Sequence, residues 1–239
     1  MSAGPIHCTL GFSTVYRNSF SDSLERSHAE LDQLFCRSQA KLLQGLDSLH
    51  GVVDELLRDS EEMAASKLAL GLAELSECSA NLTVMVDILA SVCTALAERA
   101  VIDPDDPLIY RERYFAVIDY GALYRNLESR GVSLPQQAFW SEAVSTVQSG
   151  GACAGLRLLE RQLMDLQVYL DQYIRMVEAL RRLPTQELAH QLHNTSLEVS
   201  ALVMGLVRFL ATSTYISILC GHSMLLYEQE VATPVSVAV

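Results

Sequence analysis

LRLLERQLMDLQVYLDQYIRMVEAL, running from Leu156 to Leu180, places apolar side chains at Leu156, Leu159, Leu163, Leu166, Leu170, Tyr173, Val177 and Leu180. The steps between them alternate three, four, three, four. Only an α-helix gathers such a series into one stripe, and a stripe with this rhythm is the seam along which long helices pack. The spacing therefore predicts a long helix and an all-α, coiled-coil-like bundle. It leaves open whether the facing helix belongs to this chain or to a second copy. The expectation adopted is a mixed seam, own helices on one side and a second copy on the other, so that Leu159, Leu163, Leu166, Leu170, Tyr173 and Val177 serve a homodimer interface.

Upstream the same period returns. Phe35, Leu42, Leu49, Leu56, Met63 and Leu70 recur at every seventh residue, with Leu46 and Val53 in a second row. Gly45, Ser60 and Lys67 stand where a zipper would carry leucine, which reads as a helix packed against two neighbours. Ser21 or Ser23 caps its start near Leu24. Asp59 and Ser60, followed by Glu61 and Glu62, form a new helix start, and the next helix runs to about Ala100. Pro104 and Pro107 interrupt it, and the helical pattern resumes from Leu108 to Arg130.

The segment from 131 to 155 carries Pro135, Gly150, Gly151 and Gly155 and reads as an irregular loop with a short helix around Phe139 to Val147. Pro184 ends the seam helix. Thr185 caps a last helix from Gln186 to about Glu230. The resulting organisation is an N-terminal tail (1–21), one helical domain (22–230) and a C-terminal tail (231–239). The stretch from Ile6 to Asp103 holds no proline, and twelve glycines and six prolines in 239 residues are too few for the frequent turns of a β-sandwich or barrel.

The balance of 17 basic against 29 acidic residues gives a net charge of −12, which repels phosphate backbones and argues against nucleic-acid binding. Lys41 and Lys67 are the only lysines. Six scattered cysteines show no metal-ligand spacing, and most lie in helical segments, as expected of a reduced, cytoplasmic protein. The first twenty residues lack the basic start and apolar run of a signal peptide. The uncharged run Phe209 to Tyr227 is long enough to cross a bilayer, but its Thr and Ser content equally suits a buried central helix.

Candidate chemistry is sparse. Glu25 with His28 and Glu187 with His190 have the Glu-x-x-His spacing of di-iron bundles, which further need inward glutamates such as Glu74, Glu98 or Glu160. The expectation is that these are surface residues and that the chain uses no metal or cofactor. No nucleophile elbow, Walker loop or dinucleotide fingerprint is present. Cys220 and His222 point in different directions on a helix. Val237-Ala238-Val239 has the apolar alternation of some PDZ ligands. Arg125 and Arg130 precede the irregular segment, and Arg157 and Arg161 follow it, so antiparallel packing would gather the four into a basic tip for an anionic membrane.

In its order of segments, the chain resembles the BAR domains of sorting nexins. Their first two helices carry a pattern similar to LDQLFCRSQAKLLQGLDSLHGVVDELLRDSEEMAASKLALGLAELSE. LEVSALVMGLVRFLATSTYISIL is similar to their final segment. The similarity spans most of Asp22 to Glu230, with no PX module read ahead of it. It implies a three-helix, BAR-like layout, dimerisation through long helices and peripheral contact with endomembranes in intracellular trafficking. The expected function is thus a non-enzymatic dimerisation or scaffold protein. The alternatives are a compact bundle that binds a lipid or other apolar ligand, and a di-iron carboxylate enzyme.

Overall fold

Six α-helices and one 3-10 turn, with no strand among the described residues, make up the computed structural model, which describes residues 22–58, 60–102, 111–131 and 137–232. The helices are α1 (Asp22–Leu57), α2 (Glu61–Ile102), α3 (Tyr120–Ser129), α4 (Gln137–Leu180), α5 (Thr185–His193) and α6 (Ser196–Ala232); the 3-10 turn is Arg111–Ala116. The chain is all-α. Most of the expected tails, together with Cys8 and the terminal Val-Ala-Val, lies outside the described residues. So do the side chains of Glu25 and His28.

The helices divide into two compact units. One takes Glu30–Ile88 and Arg161–Val207, and the other takes the described parts of Met1–Ala29, Leu89–Glu160 and Arg208–Val239.

The first of these is a leucine-seam bundle. On α1, Leu31, Phe35, Ser38, Leu42, Gly45, Leu49 and Val52 are buried at steps of four and three. Facing them on α2 are Leu68, Leu72, Leu75, Cys78, Leu82 and Met85, none more than 8% exposed. Contacts between low numbers on one helix and high numbers on the next show that neighbours run antiparallel. Lys41 on α1 pairs with Glu74 at 2.7 Å and Glu77 at 2.9 Å on α2, and Lys67 donates to Glu55 at 2.7 Å. Between α2 and α4, Ser79 donates to Asp171 at 2.6 Å and Gln167 to Thr83 at 2.6 Å.

Gly45 explains itself here. A Cβ on it would lie 2.7 Å from Leu75 Cδ2 and 3.1 Å from the Gly71 carbonyl, and a Cβ on Gly71 would lie 2.9 Å from Leu49 Cδ2 and 3.1 Å from the Gly45 carbonyl. Two glycines meet across the pair, and α1 and α2 approach closely because neither has a side chain. Cys78 Sγ also reaches the Ser38 carbonyl at 3.2 Å.

The heptad of the first helix does not continue past Leu57. Arg58 and Ser60 both donate to the Glu55 carbonyl, closing a turn that reverses the chain. The stripe loses its phase there, and Met63 and Leu70 are 52% and 53% exposed. The last helix is also divided. Thr195 Oγ1 donates to the Leu192 carbonyl at 2.8 Å and its own carbonyl starts α6, so α5 and α6 are separate. Thr185 is not a cap: Pro184 takes the N-cap place, and the Thr185 hydroxyl donates to Glu61 at 2.9 Å.

The second unit is centred on aromatic rings. Trp140 on α4 meets Tyr124 on α3 at 5.5 Å and Tyr215 on α6 at 5.0 Å, both edge to face, an arrangement that adds to simple burial. Arg208 grips Glu142 through two N–H groups, at 2.5 and 3.2 Å. The expected helix from Leu108 is instead a 3-10 turn followed by α3, because the Asp119 carboxylate caps α3 through the Ala122 N–H at 2.9 Å and the Tyr120 hydroxyl ties back to Phe115 at 2.5 Å.

The expected irregular loop is helical from Gln137 onward, with its interruption confined to Gly150 (φ −148°, ψ 16°) and Gly151 (φ 66°, ψ −162°). The positive φ of Gly151 suits glycine and strains any other residue. Phe209, Ala211, Thr212, Ser213, Tyr215 and Ile216 are buried in this unit. Two helical stretches, Glu61–Glu98 and Ser196–Ser223, are nevertheless long and apolar enough to cross a membrane by length and composition, and half of the second one's apolar window is buried inside the chain.

Candidate docking face

The seam residues expected at a dimer interface are covered by the chain itself. Leu159, Leu163, Leu170 and Val177 are 0% exposed, Leu166 2% and Tyr173 3%. They have no surface left to offer a second copy. A period of three and four identifies the covered stripe of a helix without naming its cover, and here the cover is the protein's own helices.

The open side of α4 is another stripe of the same helix. Met164, Val168 and Tyr169 are 48%, 54% and 57% exposed, and on the neighbouring α6 Leu197 is 79% and Met204 43% exposed. Between the two helices runs an open groove of ≈ 420 Å³ with Tyr169, Gln172, Met176, Leu197 and Ala201 in its walls. Large apolar side chains gathered around a groove mark a contact surface more often than scattered ones do. The sequence held part of a signal for this face: Met164, Val168 and Tyr169 are apolar residues of α4 that fall off the seam, although Leu158 and Ile174 fall off it too and are buried.

A second groove, of ≈ 270 Å³, has Leu46, Leu49, Val53 and Leu192 as its apolar floor, with His50 and His193 at its edge. Tyr173 and Thr195 hydroxyls approach to 3.4 Å in its wall. Burial pushes the Tyr173 hydroxyl above its usual range.

The four arginines expected at a membrane are all exposed, Arg125 and Arg130 at α3 and Arg157 and Arg161 one turn apart on α4. Among the described residues none of them forms an ion pair, neither with each other's neighbours Glu128 and Glu160 nor elsewhere. Asp165 and Arg175 on α4 likewise form no ion pair among the described residues. By contrast, Lys67 holds the Glu55 carboxyl below its ordinary range, and Glu74 and Glu77 hold the Lys41 amine above its own.

Of the metal candidates, Glu187 and His190 are exposed, with the His190 ring 3.1 Å from the Asn194 amide, and Glu74 is engaged by Lys41. No group of three or more His, Cys, Asp or Glu side chains among the described residues is placed to hold a metal ion. Burial raises the thiols of Cys78 to about 12 and Cys93 to about 11, far from the thiolate that a nucleophile needs.

No protein-family model, curated protein or solved structure matches this chain.

Proposed function

We propose that the chain is a non-enzymatic helical scaffold that self-associates, and that the exposed apolar strip on α4 and α6 is what it associates through. The observation that carries this reading is the set of large exposed apolar side chains on one pair of helices, Met164, Val168 and Tyr169 on α4 and Leu197 and Met204 on α6, with Tyr169 and Leu197 lining the groove between them, in a unit whose own core is already closed. Exposed apolar side chains on a bundle gain by burial in a partner, at about 25 cal/mol per Å² of apolar surface. Sedimentation equilibrium tests it. The expected result is a species of twice 26.3 kDa that dissociates on dilution, and a particle of single mass at every concentration removes the reading.

A peripheral membrane role in intracellular trafficking is proposed on a separate observation, the four exposed arginines that have no acidic partner among the described residues. Each such side chain near an anionic surface contributes about 1 kcal/mol. Vesicles rich in phosphatidylserine should therefore pull down the chain at low salt and release it when Arg125, Arg130, Arg157 and Arg161 are changed to Glu. Equal recovery of the two proteins with the vesicles would leave the scaffold without its membrane role.

A further inference from the structure

The open stripe of α4 has a symmetry of its own. Arg161, Asp165, Val168, Gln172, Arg175 and Ala179 follow one another at steps of four, three, four, three and four, and every one of them is exposed. The stripe extends for about 27 Å at 1.5 Å per residue. Laid against a second α4 in the opposite direction, with the two-fold axis at the level of Leu170, it is complementary to itself. Asp165 comes opposite Arg175 of the other copy, Val168 opposite Gln172, and Arg161 level with Ala179. Arg161 falls within one residue of Glu178. Each match occurs twice, as a two-fold contact requires.

The parallel arrangement in the same register has the reverse property: Asp165 faces Asp165, Arg161 faces Arg161 and Arg175 faces Arg175. Like charges across an interface are costly and suppress the wrong mode. The charges in question are available, since neither Asp165 nor Arg175 has an ion-pair partner among the described residues. The pattern is also locally near neutral on a chain of net charge −12, so two copies can meet here without the repulsion that other acidic surface would bring.

We infer that the occupant of this face is a second copy of the chain, docked antiparallel along α4 about Leu170, with Asp165 and Arg175 forming reciprocal ion pairs and Val168 seated beside Gln172 of the other copy. This assignment rests on the self-association proposed above and names its partner and register.

Charge exchange tests it on the intact chain. D165R and R175D are exposed substitutions that should leave the helical signal unchanged, and each should weaken the dimer by about tenfold or more, because each sets like charges opposite twice. Combining both in one chain restores the pairs in reversed order and should recover the wild-type dissociation constant. Mixing the D165R chain with the R175D chain should give a heterodimer tighter than either parent homodimer. If the wild-type chain is dimeric but the single exchanges leave its dissociation constant unchanged, the register is overturned and the scaffold reading survives. If the wild-type chain is monomeric, both fall.

Discussion

The α1–α2 contact and the outer side of α4 are built from the same helical period and end in opposite states. Across α1 and α2 the close contacts are matched: Gly45 and Gly71 let the backbones close, and both lysines of the chain find carboxylates. On the outer side of α4 the apolar side chains are bare, and Asp165 and Arg175 have no ion-pair partner among the described residues. The difference teaches that a helix repeat specifies a face to be covered, while the small and charged residues within it specify the cover. Glycine admits a backbone; a charge pair unmatched among the described residues is what the proposed self-contact would use.

The largest way to break this contrast is at the seam both regions depend on. Replacing Leu163 and Leu170 together by Asp puts two charges at positions of 0% exposure, each at a cost of several kcal/mol, about as much as a whole domain has to lose. Far-UV circular dichroism should show loss of helix at 25 °C, and a variant that keeps the native spectrum and melting curve would mean that the seam is not core.

A more pointed change is Gly45→Val. Its Cβ would overlap Leu75 and crowd the Gly71 carbonyl, so urea unfolding should show a loss of about 3 kcal/mol. Val168→Ala on the open side should change the stability of the monomer by less than about 0.5 kcal/mol. Equal losses from the two would erase the distinction between a filled contact and a free one.

The smallest effect concerns the Lys67 latch. Its pairing holds the Glu55 carboxyl below the ordinary range, so the stabilisation is present above the unfolded-state glutamate value of about 4.3 and is lost as pH falls through the depressed folded value. Lys67→Met should melt slightly lower than wild type at pH 7, and the gap should close on going to pH 3. A gap that stays constant across this range would trace to packing of the lysine stem instead.

Much of the fold was legible in the sequence because burial in a bundle is periodic. The seam from Leu156 to Val177 is buried as its spacing requires, and the break at Pro184 is where a residue without an N–H must put it. What escaped was set by single local contacts. Phe35 to Leu49 kept the heptad, but Met63 and Leu70 did not, since a turn tied to the Glu55 carbonyl intervenes and no period survives a reversal of the chain. The division between α5 and α6 falls at Thr195, whose hydroxyl bonds the Leu192 carbonyl, in a stretch with neither Gly nor Pro. Gly45 takes its meaning from Gly71, which lies against it on the next helix and 26 residues away in the chain. The candidate site was the least legible, because the leucines that advertise contact are those the chain keeps for itself, and the proposed docking face is read from the residues between them.

The two lysines have a consequence for chemistry done on this protein. Reagents and enzymes that acylate lysine side chains, whether acetyl donors, ubiquitin conjugates or amine-reactive dyes, find only Lys41 and Lys67 in the sequence. Both amines are hydrogen-bonded to glutamates across the α1–α2 pair. Acylation at either would discharge the amine and leave Glu74 and Glu77, or Glu55, without a counter-charge, so a label meant to report on the protein would loosen the hairpin that it reports on.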